Sequence, residues 1–152
     1  MTARWTDLEN SLAAQVATEP TFQYVAAAAK TGLVTPDAFP SAVICVLAGK
    51  TVQTSAIAGV RYSRKTIEFQ VLLSTRLSGN IGESRLTTGG IWELYDLLSA
   101  KLLGFVPLIT SPTVAVWPIT DVDFYLDRLE EGGVDLNTLW SVDVEIQNPI
   151  AP

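Results

Sequence analysis

The chain of 152 residues contains no histidine and a single cysteine, Cys45. Without histidine, the usual general base near neutral pH and the commonest zinc ligand are both missing. One cysteine excludes an intrachain disulfide. Its setting in the apolar run "AVICVLAG" marks it as a small buried hydrophobe rather than a reactive thiol. Charge is scarce as well: 17% of residues are charged against 48% apolar. That balance in a short chain implies a large core together with apolar surface held against other subunits. The net charge is −6, and the densest basic cluster is only Arg61, Arg64 and Lys65. Nucleic-acid binders concentrate Lys and Arg because phosphate contacts dominate their affinity, so sequence-specific nucleic-acid binding is not expected. An acidic wall could still line a passage for DNA by repelling it. Long hydrophobic runs are missing too. Segments such as Ala42 to Ala48 are too short to span a bilayer, so no membrane partner is expected. The N-terminus has no basic region followed by an apolar stretch, which points to a protein made in the cytoplasm.

The length suits one domain. "TDLE", Thr6 to Glu9, reads as a capping box in which Thr6 caps and Glu9 reaches back. Trp5, Leu8, Leu12 and Val16 then follow at helical spacing, and Pro20 ends the helix. "FQYVAAAAKTG" is ambiguous between a short helix closed by Gly32 and a strand at "FQYV". "LVTPDAFP" is loop. "SAVICVLAG" is apolar on both faces and reads as a short central strand covered on each side. "TVQTSAIAGVRYSR" reads as a second segment, a weakly alternating strand with a turn at Gly59.

"TIEFQVLLS" is the clearest strand, with Ile67, Phe69, Val71 and Leu73 on one face and Thr66, Glu68, Gln70 and Ser74 on the other. A Gly/Ser/Thr-rich loop, 75–90, follows. "GIWELYDLLSAKLLGF" is a helix with an apolar stripe of Ile91, Leu94, Tyr95, Leu98 and Leu102, closed by Gly104. Glu93 and Lys101 complement its dipole. Trp92, Ser99 and Leu103 lie off the stripe, which suggests cover on more than one side. "TVAVWPIT" is a short strand stopped by Pro118, and "DVDFYLDRLEEGGVD" reads as an acidic connection, 120–133. "TLWSVDVEIQN" alternates plainly, with Trp140, Val142, Val144 and Ile146 inward. The sum is an α+β domain: a mostly antiparallel sheet with two main helices packed on one face.

Three groups of residues are candidates for chemistry. The loop 75–90 has Gly79, Gly82, Gly89 and Gly90 but no lysine, so it is not a Walker-type phosphate cradle, and its glycine spacing is not the dinucleotide fingerprint. Its length is that of a functional arm or a plain flexible loop. Asp121, Asp123, Asp127, Glu130 and Glu131 do not match a calcium loop, because the twelfth position from Asp121 is Gly132; a solvated acidic turn is the simpler reading. Ser74, Ser78, Ser84 and Ser99 have no histidine to activate them, and no lysine stands out as a base. Neither a catalytic set nor a cofactor or metal site emerges. Trp140 belongs to the core, whereas Trp92 and Trp117 are candidates for a subunit interface, where large aromatics are enriched.

The succession "IEFQVLLSTRL", small-residue loop, "GIWELYDLLSAKLLGF", "PLITSPTVAVWPI" and "LWSVDVEIQN" resembles the small tail terminator (tail-completion) proteins of long-tailed bacteriophages, in particular those of contractile tails. The likeness covers residues 4 to 148. It implies one domain over 1–152 and a non-enzymatic virion assembly protein made in the host bacterial cytoplasm. Such a protein forms a hexameric ring at the head-proximal end of the tail, caps the tail tube, ends its polymerisation and offers the head-joining surface. Its partners would be further copies of itself, the tail tube protein, a head-completion or neck protein and the tail sheath. The loop would then be an assembly arm, Ser78 to Gly90. Arg76, Ser78, Asn80, Glu83 and Arg85, with Trp92 and Trp117, would meet a subunit or partner. The acidic connection is longer than the resemblance implies and would face the ring's outside or its lumen; in the lumen, Asp121, Asp123 and Asp127 would repel packaged DNA. Two alternatives are a head–tail connector, neck or minor tail protein of similar fold, and, from a different class, a small-ligand-binding α+β domain with an apolar pocket.

Overall fold

The computed structural model describes residues 4–27, 37–76, 90–109, 114–128 and 134–149. Among the described residues, six strands form one sheet and two helices lie on one of its faces. The elements are α1 (Arg4–Ala17), β1 (Tyr24–Ala27), β2 (Ser41–Ile57), β3 (Val60–Thr75), α2 (Ile91–Leu102), β4 (Val114–Val116), β5 (Thr120–Arg128) and β6 (Val134–Pro149). The strand order is β1-β2-β3-β6-β4, with β5 also paired to β6. Among the described strands only β1 and β2 run parallel. The expected α+β class with two helices on one face is therefore what the chain forms.

The inner face follows the period-two pattern of the sequence. Ile67, Phe69, Val71 and Leu73 of β3 and Leu136, Trp140, Val142 and Val144 of β6 are buried against Leu8, Leu12 and Val16 of α1 and Ile91, Leu94, Leu98 and Leu102 of α2. Each such large side chain is worth about 1.5–3 kcal/mol of burial. Within this core, Thr138 Oγ1 donates to the Val71 carbonyl and accepts from Trp140 Nε1, both at 2.7 Å, so the indole is satisfied without water. The helices are also tied to each other: Gln15 Nε2 donates to the Lys101 carbonyl at 3.0 Å. Gly104, just past α2, takes φ 77°, the left-handed conformation expected of a helix stop.

Several expectations are corrected. "SAVICVLAG" and "TVQTSAI" are one unbroken strand, β2, of 17 residues, which turns at Ala58 and Gly59, both at positive φ, into β3 of 16 residues. Nothing between Ser41 and Ile57 compels a break, because two β-bulges, at Val46/Ala48 and Thr51/Gln53, absorb the irregularity. The cover predicted on both sides of "SAVICVLAG" is found on the helix side, where Ala42 and Ile44 are buried; Val43 and Cys45 are half-buried and Leu47 is exposed. "FQYV" resolves as strand, with Tyr24–Ala27 paired to 41–44. The acidic connection is strand β5 over 120–128; the density of aspartates masked an alternation that pairs along β6.

The capping box is not formed. Thr6 lies within α1, and Glu9 is buried with its carboxylate Oε1 accepting the Val46 N–H at 3.1 Å. The last described β1 pair is Ala27 with Ile44. Two residues on, the Val46 N–H of the same edge takes the carboxylate of Glu9 in place of a strand partner. A buried orphan N–H costs about 1–3 kcal/mol. Glu9→Ala is therefore expected to lower unfolding free energy by about that amount in urea titration, while Glu9→Gln, which keeps an acceptor oxygen, should lose clearly less.

Candidate functional site

The three-stranded ribbon of β2, β3 and β6 has two parts. At one end it is the floor of the core. At the other, residues 49–56 are all exposed, and the hairpin runs on to its turn at Ala58 and Gly59. β1 pairs only with 41–44, so the rest of β2 has no strand on its outer edge among the described residues. This projecting arm was missed from sequence. Its signal was an unbroken stretch of strand-tolerant residues on both sides of Gly59, read instead as two elements.

At the root of the arm lies a polar cluster on the face away from the helices. Arg64 Nη2 is 3.2 Å from Asp143 Oδ2, and Thr66 Oγ1 donates to Asp143 Oδ1 at 2.7 Å. The Arg64 guanidinium carbon stands 5.1 Å from the centroid of Trp117, whose own N–H donates to the Asp143 carbonyl at 2.9 Å. Trp117 remains 46% exposed, which keeps it a contact candidate. An ion pair this open contributes little by itself; the cation–π contact and the backbone bond hold the ring in place. Next to this cluster Gln53, Ser55, Tyr62, Arg64 and Glu145 line an open cleft of about 230 Å³. Leu103, Val106 and Leu108, after α2, are also exposed.

The other expected residues are distributed as follows. Arg76 is engaged within the chain: its guanidinium donates to the Thr75 carbonyl at 3.0 Å and to Asp135 Oδ1 at 3.2 Å, and stacks 4.4 Å from the Phe39 ring centroid. The register places Asp135 opposite Asp127. Like charges facing across strands repel, so Arg76 offsets that juxtaposition. Trp92 is half-buried and packs on the core. Ser78, Asn80, Glu83 and Arg85 lie outside the described residues. Of the 75–90 loop, Thr75 ends β3, Arg76 follows it, and Gly90 stands at the N-terminus of α2.

The three aspartates of β5 do not share one setting. Asp121 faces Trp140 in the register, and Tyr95 Oη donates to its Oδ2, while its Oδ1 is buried without a hydrogen-bond partner. A bulge between Asp121 and Asp123 then shifts the register, so that Asp123 pairs with Leu139 and Asp127 with Asp135. Burial, reinforced by the hydrogen bond to Asp121, pushes the Tyr95 phenol above its ordinary pKa. Cys45 is likewise raised, by burial and then by the negative charge of Glu9, which leaves it a thiol at neutral pH and unreactive. Among the described residues no group of three His, Cys, Asp or Glu is placed to hold a metal ion, and no helix is long and apolar enough to cross a membrane.

Tyr95→Phe takes the phenol donor from Asp121 Oδ2, beside an Oδ1 that already has no hydrogen-bond partner. The expected loss is about 1–3 kcal/mol in urea titration. The double variant Tyr95→Phe with Asp121→Leu should lose less than the single one, because it removes the stranded carboxylate.

No family model matches the chain, and no curated protein matches it. Among solved structures, a chain from the "Virion of native gene transfer agent (GTA) particle" shares 16% identity, covering 94% of this chain and 92% of that one, with a TM-score of 0.50. The likeness runs nearly end to end in both chains, and at this identity what the two have in common is a fold.

Proposed function

We propose that the protein is a structural component of a phage-like virion, and within that class a tail terminator: a hexameric ring that caps the tail tube, ends its polymerisation and offers the head-joining surface. The observation that carries the reading is the near end-to-end fold likeness to a chain from a gene transfer agent virion. Two further features support it. The order of elements from "IEFQVLLSTRL" to "LWSVDVEIQN" resembles the tail terminators, and the arm of β2 and β3 extends well past the core, as a subunit that must reach a neighbour would need. Trp117 and the arm are the contact surfaces in this reading. Arg76 supports them by pinning the Phe39 segment and Asp135, and Trp92 by packing under the core. Of the three aspartates of β5, Asp121 is held by Tyr95. The protein acts without catalysis or cofactor, its partners being further copies, the tube protein, a neck or head-completion protein and the sheath.

Native mass spectrometry across protein concentration, with and without purified tail tubes, tests this. A six-subunit species, free or on tubes, is the expected result. Assembly onto head-side proteins with no response to tubes would transfer the protein to the connector or neck class. A monomer or dimer that ignores both would sink the virion-ring reading.

A further inference from the structure

Charge is segregated along the sheet. Residues 50–66, the outer part of the β2–β3 hairpin, contain Lys50, Arg61, Arg64 and Lys65 and no Asp or Glu. With the chain at −6 overall, the remaining residues carry −10. Arg64 is paired with Asp143, and Lys65 Nζ donates to Thr51 Oγ1 at 2.6 Å. Lys50 and Arg61 are exposed, and the register sets no carboxylate opposite either: Lys50 faces Thr66, and Arg61 faces Ala56 and Asn148. At the far end of β6 the surplus has the opposite sign, because Asp123, Asp127 and Asp135 outnumber Arg76, which is held by Asp135, and Arg128. There the register brings Asp127 opposite Asp135, with Asp123 four residues before Asp127 on β5.

β6 connects the two ends. It pairs Asn148 with Arg61 near the basic tip, and Asp135 with Asp127 at the acidic end. Arg61 and Asp127 are separated by the thirteen steps from Asn148 to Asp135, about 44 Å at strand rise, while Lys50, level with Asp143, and Asp123, level with Leu139, are four steps and three strands apart, about 20 Å. Both separations exceed the Debye length of about 8 Å, so these charges do not neutralise each other within one molecule. They can do so between molecules.

We propose that the basic β2–β3 arm of one copy docks against the acidic β5–β6 end of a second copy, in a head-to-tail contact centred on Lys50 and Arg61 and on Asp123 and Asp127. This rests on the ring reading above and supplies its contact. Because the two surfaces differ, the contact is heterologous, and repetition generates a ring where the rotation closes. The free outer edge of β2 does not act as an indiscriminate strand template: the two bulges and Lys50 are features that discourage edge pairing. Charge then selects which surface the arm meets, and it acts mainly through association rate and register.

The test uses two variants of the whole chain, Lys50→Glu with Arg61→Glu, and Asp123→Lys with Asp127→Lys. Association is followed by native mass spectrometry and sedimentation at low and high salt, with tubes where the wild type needs them. Each variant alone is expected to associate at least about tenfold more weakly than wild type at low salt, with the difference shrinking as salt rises. An equimolar mixture should restore the wild-type species, because every contact in an alternating ring is again complementary. An arm variant that assembles like wild type overturns the inference and leaves the virion-ring reading standing; should the Asp-to-Lys variant not fold, this comparison alone decides. A wild type that never associates, with or without tubes, overturns both. Duplex DNA retained by wild type and released by the arm variant, with assembly unchanged, assigns the arm to phosphate and overturns the inference.

Discussion

The ladder between β3 and β6 is the constraint on which the rest of the molecule depends. It pairs Val60 with Pro149 and continues without a bulge to Thr75 with Val134. An unbroken register keeps every inward residue of both strands on one face, and this is why Ile67, Phe69, Val71 and Leu73 line up beside Trp140, Val142 and Val144. The helices need that floor: an isolated helix of α2's length is marginal in water and owes its stability to packing. β2, β4 and β5 attach to the ladder from either side, and all the described irregularity of pairing is found in β2 and β5.

Several awkward points in the sheet are met by a side chain. Where the described β1 pairing ends at Ile44, the Val46 N–H is accepted by Glu9. The bulge after Asp121 accompanies that carboxylate's turn toward Tyr95 on α2. The aspartates facing each other at the start of β6 have Arg76 beside them. Polar residues in this protein thus serve mostly to mend or anchor the sheet, and they are drawn from distant parts of the chain. That is the economy expected when charge is only 17% of the composition.

Much of the core was legible in the sequence, because alternation in "TIEFQVLLS" and "TLWSVDVEIQN" and the helical stripe from Ile91 to Leu102 follow directly from geometry. The arm was not, because the length of β2 is set by its neighbour: polar residues such as Gln53 and Ser55 become strand only when β3 lies beside them. β5 was hidden by its aspartates, which suggest a solvated turn until β6 pairs with them. Glu9 suits a capping box on local grounds and was claimed by a backbone group 37 residues away. Of the expected contact residues, Trp117 is exposed, while the internal duties of Arg76 and Asp121 depend on partners that no local pattern reveals.

The ladder also has two very different environments along its length. Toward Thr75 its bonds lie under a dry core, and opening them would dismantle the helices' seat. Toward Val60 the same strands stand beside exposed residues of β2, where opening costs little beyond the bonds themselves. Stability in a protein is graded in this way rather than uniform. One continuous pair of strands therefore combines a fixed base with a tip free to open and re-form. Such a tip can adjust its shape to whatever surface it meets, and the strain of that adjustment would fade along the strands before reaching the core.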